Sequence, residues 1–218
     1  MSKIPAFIKA VIFDVDGLLI ESEPYWYQTT EAFFEKYNKP FHEDIHKQIR
    51  GKSLHDIMEY FKKEYGFVGD TKELIVERKA MLYEVLLDNV ALMEGSQVLL
   101  HDLHKKGIPM AIATAAHKRD MIEKMLEETG VQSMFSVVLC GEDVAKNKPA
   151  PDIYLLAAKQ LHVAPKACLV LEDSATGVLA GKSAGMTVYG INGEREFHKG
   201  LEEAGADKIF TSLAQIHI

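Results

Sequence analysis

One short stretch constrains this chain more than any other: Val11-Ile12-Phe13-Asp14-Val15-Asp16-Gly17. The apolar run over residues 8–13, broken only by Lys9, reads as a buried strand. It ends in two aspartates one residue apart, followed by a glycine. Side chains alternate along extended chain, so Asp14 and Asp16 start out on the same side. Gly17 permits a sharp turn just beyond them. Carboxylates at the carboxyl end of a buried strand are costly unless a metal or a reaction uses them.

A helical interruption comes next. Ser22 with Pro24 marks a helix start, and the aromatics Tyr25, Trp26, Phe33, Phe34 and Tyr37 fit a helical stripe. Residues 43–49, 54–65 and 71–87 read as further amphipathic helices, with Ser53 and Asp70 or Thr71 as caps. From residue 96 onward, helices alternate with short apolar runs at 108–113, 136–140, 167–171, 186–189 and 208–210. Such alternation at short loop lengths implies a parallel sheet covered on both faces. The expected fold is α/β, a Rossmann-like parallel-sheet core with an inserted α-helical cap. The core would comprise residues 1–19 plus 91–218, and the cap residues 20–90. Ligands of such sheets bind beyond the carboxyl ends of the strands, which places the insert to act as a lid.

Composition narrows the classes of partner. Lys plus Arg is 25 against 32 for Asp plus Glu, a net charge of −7, which argues against nucleic acid as the main partner. No apolar run approaches the ~20 residues of a membrane span, and no signal-peptide pattern is seen, so a cytoplasmic protein without membrane contact is expected. Cys140 and Cys168 read as small buried thiols. The nine histidines show no metal-ligand spacing.

The residues just after each expected strand form one chemical set. Strand one ends in Asp14 and Asp16, strand two in Thr114, and the 167–171 run in Glu172-Asp173-Ser174. Between them, Lys146-Asn147-Lys148-Pro149-Ala150-Pro151-Asp152 carries a lysine in a proline-stiffened loop ahead of a helix. Taken singly, Thr114 is a helix cap, Lys148 a solvated cation and Glu172-Asp173 a charged turn. Together, acids, a hydroxyl, a cation and a helix N-terminus suit Mg²⁺-dependent phosphoryl transfer.

In these motifs the sequence resembles the haloacid dehalogenase superfamily, in particular its helical-cap phosphatases and β-phosphoglucomutase-like members. Asp14-Val-Asp16-Gly17, Thr114, Lys148-Pro149 and Glu172-Asp173-Ser174 match that family's four motifs in order. The resemblance implies Asp14 as the nucleophile and Asp16 as the general acid and base. It implies Mg²⁺ held by the Asp14 carboxylate, the Asp16 backbone carbonyl and Asp173, with Glu172 sharing the site directly or through water. Gly17, Thr114, the Ala115 amide and Lys148 would serve the phosphoryl group, with helix N-termini after Thr114 and Ser174 adding to the field. The partner would be a small phosphorylated metabolite, and the protein a monomer or weak dimer.

Against the mutase branch stand three departures. Trp26 occupies the position of a cap histidine. Leu54 stands where an arginine grips a second phosphate, and Ala116-His117-Lys118 replaces Ser-Lys-Asn. Arg50, Lys52, His55, His117 and Lys118 remain as groups for a distal phosphate, with Arg50-Gly51-Lys52 read as a hinge and specificity loop. A phospho-accepting regulatory domain shares an acidic Mg²⁺ cluster but lacks the helical insert and the Lys148-Pro149 loop. The expectation is a phosphatase acting on a sugar or nucleoside monophosphate, with a β-phosphoglucomutase as the alternative.

Overall fold

Apolar runs of four to five residues become strands because both of their faces are covered. The computed structural model describes residues 2–50 and 52–218, and divides into two compact units, 1–21 with 91–218, and 22–90. The first unit begins with β1 (Ser2–Lys3) and β2 (Ala10–Phe13), whose four residues are all buried.

The second unit holds α1 (Glu23–Lys36), α2 (Glu43–Ile49), α3 (Leu54–Tyr65) and α4 (Thr71–Leu86). The chain then returns through α5 (Ser96–Lys105), β3 (Met110–Ala113), α6 (Arg119–Glu128), β4 (Val137–Leu139) and α7 (Asp152–Gln160). It finishes with β5 (Cys168–Glu172), α8 (Ala175–Ser183), β6 (Thr187–Ile191), α9 (His198–Glu203), β7 (Lys208–Phe210) and β8 (Ile216–His217).

Six strands form one parallel sheet in the order β4-β3-β2-β5-β6-β7, so the strand bearing the two aspartates lies near the middle. β1 and β8 make a separate parallel pair. β3 begins two residues later than the apolar run suggests, because Pro109 has no N–H to give the ladder. Its carbonyl still accepts from the Val11 amide at 3.1 Å.

On one face of the sheet Ala10, Ile12, Ala111, Ala113, Val170 and Val188 pack with residues of α7 and α8. On the other face Phe13 meets Phe135 edge-on, with centroids 5.9 Å apart. Both cysteines are buried free thiols, and burial pushes each up to about 11.

The helical unit has its own core, in which Phe33, Phe34, Ile49, Met58, Phe61 and Phe67 meet. Its helix starts are set locally. The Ser53 hydroxyl accepts from the Asp56 amide, and the Asp70 carboxylate accepts from the Lys72 and Glu73 amides. Ser22 departs from expectation. It precedes α1 but makes no side-chain cap, and its hydroxyl is buried without a hydrogen-bond partner among the described residues. No helix among the described residues is long and apolar enough to cross a membrane.

Candidate active site

Four loops meet at the carboxyl ends of β2, β3 and β5. Asp14 extends β2, its amide donating to the Leu171 carbonyl of β5 at 3.1 Å. Thr114 extends β3 in the same way, donating to the Leu139 carbonyl at 3.0 Å. Gly17 turns the chain at φ +68°, and a Cβ there would lie 2.6 Å from Asp173 Oδ2. Glycine is therefore required twice over, by the left-handed backbone and by the approach of a carboxylate.

Lys148, from the loop ahead of α7, is the hub. Its ammonium donates to Asp14 Oδ1 at 2.5 Å, Glu172 Oε1 at 2.6 Å and the Ala113 carbonyl at 3.0 Å. Three donors thus meet three acceptors in a place where the side chain is 7% exposed. Glu172 is fully buried and equally committed. Tyr154 donates to Oε1 at 2.6 Å, and Ser174 gives Oε2 its amide at 3.2 Å and its hydroxyl at 2.9 Å. Gly177 of α8 has no side chain to collide with this carboxylate, which a Cβ there would overlap. Ser174 caps α8 by accepting from the Gly177 amide at 3.1 Å.

The electrostatics show a deficit of positive charge. Burial first, then Glu172 and Asp16, push Asp14 up to about 7 in spite of Lys148. Burial and the neighbouring Glu172, Asp14 and Asp16 raise Asp173 well above the usual carboxylate range. Burial pulls Lys148 down, but Asp14 and Glu172 more than reverse this and hold it well above the ordinary lysine value.

Oxygen atoms of Asp14, Glu172 and Asp173 lie within 4.8 Å of one another. A hard divalent cation fits this donor set, being bound by carboxylate oxygens and answering the excess negative charge. Because both Glu172 oxygens already accept from four donors, Asp14 and Asp173 are the side chains better placed to hold such an ion.

Asp16 turns elsewhere: His117 Nε2 stands 2.8 Å from each of its carboxylate oxygens. The helix expected after Thr114 is present as α6, which begins at Arg119 with Lys118 at its cap, so a turn separates Thr114 from that N-terminus. In that turn Thr114 Oγ1 accepts from the Ala116 amide at 3.2 Å. Ser174 stands directly at a helix start, as the cap of α8.

Arg50 and Lys52 lie in the helical unit. Arg50 Nε contacts Glu23 Oε1 at 2.5 Å, an oxygen that His46 Nε2 also meets at 2.8 Å. Lys52 Nζ sits 5.0 Å from the centre of the Tyr60 ring. Gly51, the middle residue of the expected hinge, lies outside the described residues. Trp26 packs against the Arg78 guanidinium at 4.8 Å.

With this geometry in view, comparison with known proteins is decisive for the family. A model of the haloacid dehalogenase-like hydrolases matches residues 11–191. The chain belongs to that family. A phosphorylated carbohydrates phosphatase of Thermotoga maritima is 35% identical over 204 residues, covering 91% of this chain and 92% of its own. A probable pseudouridine-5'-phosphatase of Drosophila melanogaster is 34% identical, covering 93% and 89%. Among solved structures, CbbY of Rhodobacter sphaeroides in complex with phosphate superposes with a TM-score of 0.79 at 27% identity, over 95% of this chain and 96% of its own. The chain is an enzyme of this hydrolase family, and its fold is the α/β core with a helical cap.

Two participants at the strand ends are not apparent from sequence. Tyr154 ends the Lys148-Pro-Ala-Pro-Asp-Ile-Tyr154 stretch without any role that the sequence assigns, and it falls in the first turn of α7. His117 reads as one of the groups for a distal phosphate, whereas the structure sets it against Asp16.

Proposed function

We propose that this protein is a Mg²⁺-dependent phosphatase that hydrolyses a small phosphomonoester, a sugar or nucleoside monophosphate, through an aspartyl-phosphate on Asp14. The observation that carries this reading is the Lys148 ammonium, buried and bonded at once to Asp14 and Glu172. A lysine so placed offsets the charge that a phosphate dianion brings toward a carboxylate.

In the first step the Asp14 carboxylate attacks phosphorus and the bond to the substrate oxygen breaks, while Asp16 gives that oxygen a proton. In the second, water attacks the phosphoryl group on Asp14 and Asp16 takes the proton, releasing inorganic phosphate. Thr114 Oγ1 accepts from the Ala116 amide, which leaves its O–H to donate to a phosphoryl oxygen beside the Ala115 amide. The residues that would hold Mg²⁺ are Asp14, Asp173 and the Asp16 main-chain carbonyl. When bound, the ion supplies further positive charge against the substrate's repulsion.

Phosphate release from a panel of phosphomonoesters tests the proposal. Steady release with Mg²⁺ from one or a few of them is expected, and Asp14→Asn should abolish it while leaving the fold intact. Glucose 6-phosphate forming from β-glucose 1-phosphate and catalytic 1,6-bisphosphate, with no phosphate released, would overturn the hydrolase reading in favour of a mutase. Retained turnover in Asp14→Asn would remove Asp14 from its role.

A further inference from the structure

A general acid and base is useful only if its carboxylate is held at a fixed angle to the reacting oxygen. Asp16 lies three residues past β2, just before the turn at Gly17, and its side chain remains 21% exposed. The group that meets it is the opposite in character. The His117 side chain is 1% exposed, and its Nε2 lies 2.8 Å from both Asp16 oxygens. An imidazole so deeply enclosed has little room to change rotamer.

The backbone under His117 is equally constrained. Three residues earlier the Thr114 amide is tied to β4 through the Leu139 carbonyl, and the Thr114 hydroxyl oxygen accepts from the Ala116 amide. One residue later the Lys118 carbonyl accepts from Ile122 in the first turn of α6. The segment thus runs from a strand end to a helix start, with His117 between two anchored points.

We infer that His117 is a positioning residue for Asp16. It fixes the plane of the carboxylate through Nε2, and so sets the proton donor and acceptor of both half-reactions. This rests on the reading of Asp16 as the acid and base. A single N–H makes one linear hydrogen bond, so the carboxylate is held by one oxygen while the other exchanges the proton with the leaving oxygen or with water. The contact needs only an N–H at Nε2, which the imidazolium and one neutral tautomer both provide. The handle also belongs to the segment that carries Thr114 and Ala115. One loop therefore positions the phosphoryl contacts and the acid–base group together. Arginine or lysine at position 117 would bring charge and length without the planar, short reach that an enclosed imidazole has.

The test is kinetic, on purified Mg²⁺-loaded enzyme. His117→Ala is expected to lower kcat for an alkyl phosphate on the order of ten- to a hundredfold, the scale of a misplaced catalytic group, with KM little changed. His117→Gln, whose amide nitrogen can stand near the Nε2 position, should recover a substantial part. For p-nitrophenyl phosphate, whose leaving group needs no proton, the first burst of nitrophenolate should keep its rate in His117→Ala while later turnover slows. Adding His117→Ala to Asp16→Asn should cost nothing further.

A rise in KM with kcat unchanged, a full additional loss in the Asp16→Asn background, or a slowed burst would overturn the inference and move His117 to the substrate or to the fold. Should His117→Ala not fold, the glutamine variant decides by the same burst and double-mutant readings. Full activity in Asp16→Asn alone is a separate result, and it would remove the reading of Asp16 on which this one rests.

Discussion

Lys148 in the α/β unit and Arg78 in the helical unit are both buried cations, and their surroundings differ in kind. Every Lys148 proton has an oxygen acceptor, two of them carboxylates, and the ammonium is held well above its ordinary value. Arg78 is 2% exposed, yet donates from Nη2 to the Thr30 hydroxyl at 2.7 Å and lies over the rings of Trp26 at 4.8 Å and Phe61 at 5.9 Å.

Its Nε and Nη1 have no hydrogen-bond partner among the described residues. Burial pulls it down to about 10, with only partial opposition from Glu23. Glu23 is itself engaged through Oε1 by His46 and Arg50.

The contrast separates two uses of buried charge. At Lys148 an excess of carboxylates makes the cation indispensable, because its removal leaves Asp14 and Glu172 facing one another. At Arg78 the compensation is aromatic. About 2 kcal/mol of desolvated cation–π attraction is set against open donors that cost about 1–3 kcal/mol each. A buried charge of the second kind is one that an apolar side chain can replace.

The comparison can be pressed at four places, in decreasing order of effect. Lys148→Ala should reduce kcat/KM on the order of a hundredfold or more, as loss of a transition-state charge does. It should also destabilise the fold by about 3–5 kcal/mol, the scale of a broken buried ion pair. An unchanged kcat/KM would put the lysine outside the chemistry and remove half of the contrast.

Tyr154→Phe deletes one donor to Glu172 and leaves Lys148 and Ser174 in place. A loss of about 1.5–3 kcal/mol in urea unfolding is expected, the range for hydrogen bonds to charged groups. No loss would mean that Glu172 is over-supplied with donors.

Arg78→Met should leave stability within about 1 kcal/mol of wild type or raise it, since well-packed apolar replacements of buried charge are commonly neutral to stabilising. A large fall in Tm would show that the ring faces hold the guanidinium more strongly than its open donors cost, and the contrast with Lys148 would narrow.

Glu77→Gln probes a half-buried pair in the same unit. Lys36 at 2.5 Å and the Tyr37 hydroxyl at 2.6 Å hold the Glu77 carboxylate below its ordinary 4.5. A depressed folded-state value means that the stabilisation is present above 4.5 and disappears as pH falls through the lowered value. Wild type should therefore exceed Glu77→Gln by about 1 kcal/mol or less at pH 7, and the two should converge in acid. Parallel stability curves across that range would show that the carboxylate gains nothing from the pair.

The fold class is legible in the sequence because it arises from local periodicity. Strand-length apolar runs separated by helices leave little choice but a parallel sheet, and the helix-only stretch between residues 20 and 90 announces a separate unit. The chemical set is legible for a related reason. Asp14, Thr114, Lys148 and Glu172 each adjoin a recognisable element, and chain direction alone delivers residues just after parallel strands to one edge of the sheet.

Other features escape the sequence because they depend on residues far along the chain. Asp16 and His117 are 101 residues apart, and nothing in either neighbourhood points to the other. Tyr154 has no assigned role until β5 delivers Glu172 to its hydroxyl. Arg78 draws no notice in the sequence, since hydropathy cannot register two aromatic rings arriving from α1 and α3. Thr114 misses the role of helix cap by a few residues, because the turn at 115–118 delays α6.

The sequence by itself thus determined the alternation of elements, the interrupted chain, and which side chains stand at strand ends. Backbone geometry and side-chain periodicity act over only a few residues, and those features need nothing more. Only the tertiary structure decided the strand order, the acceptors of Lys148, the donors to Glu172 and the imidazole beside Asp16. Those pairings arise where separate elements converge, and a hydrogen bond or ion pair is settled by distances of ångströms that no local rule carries.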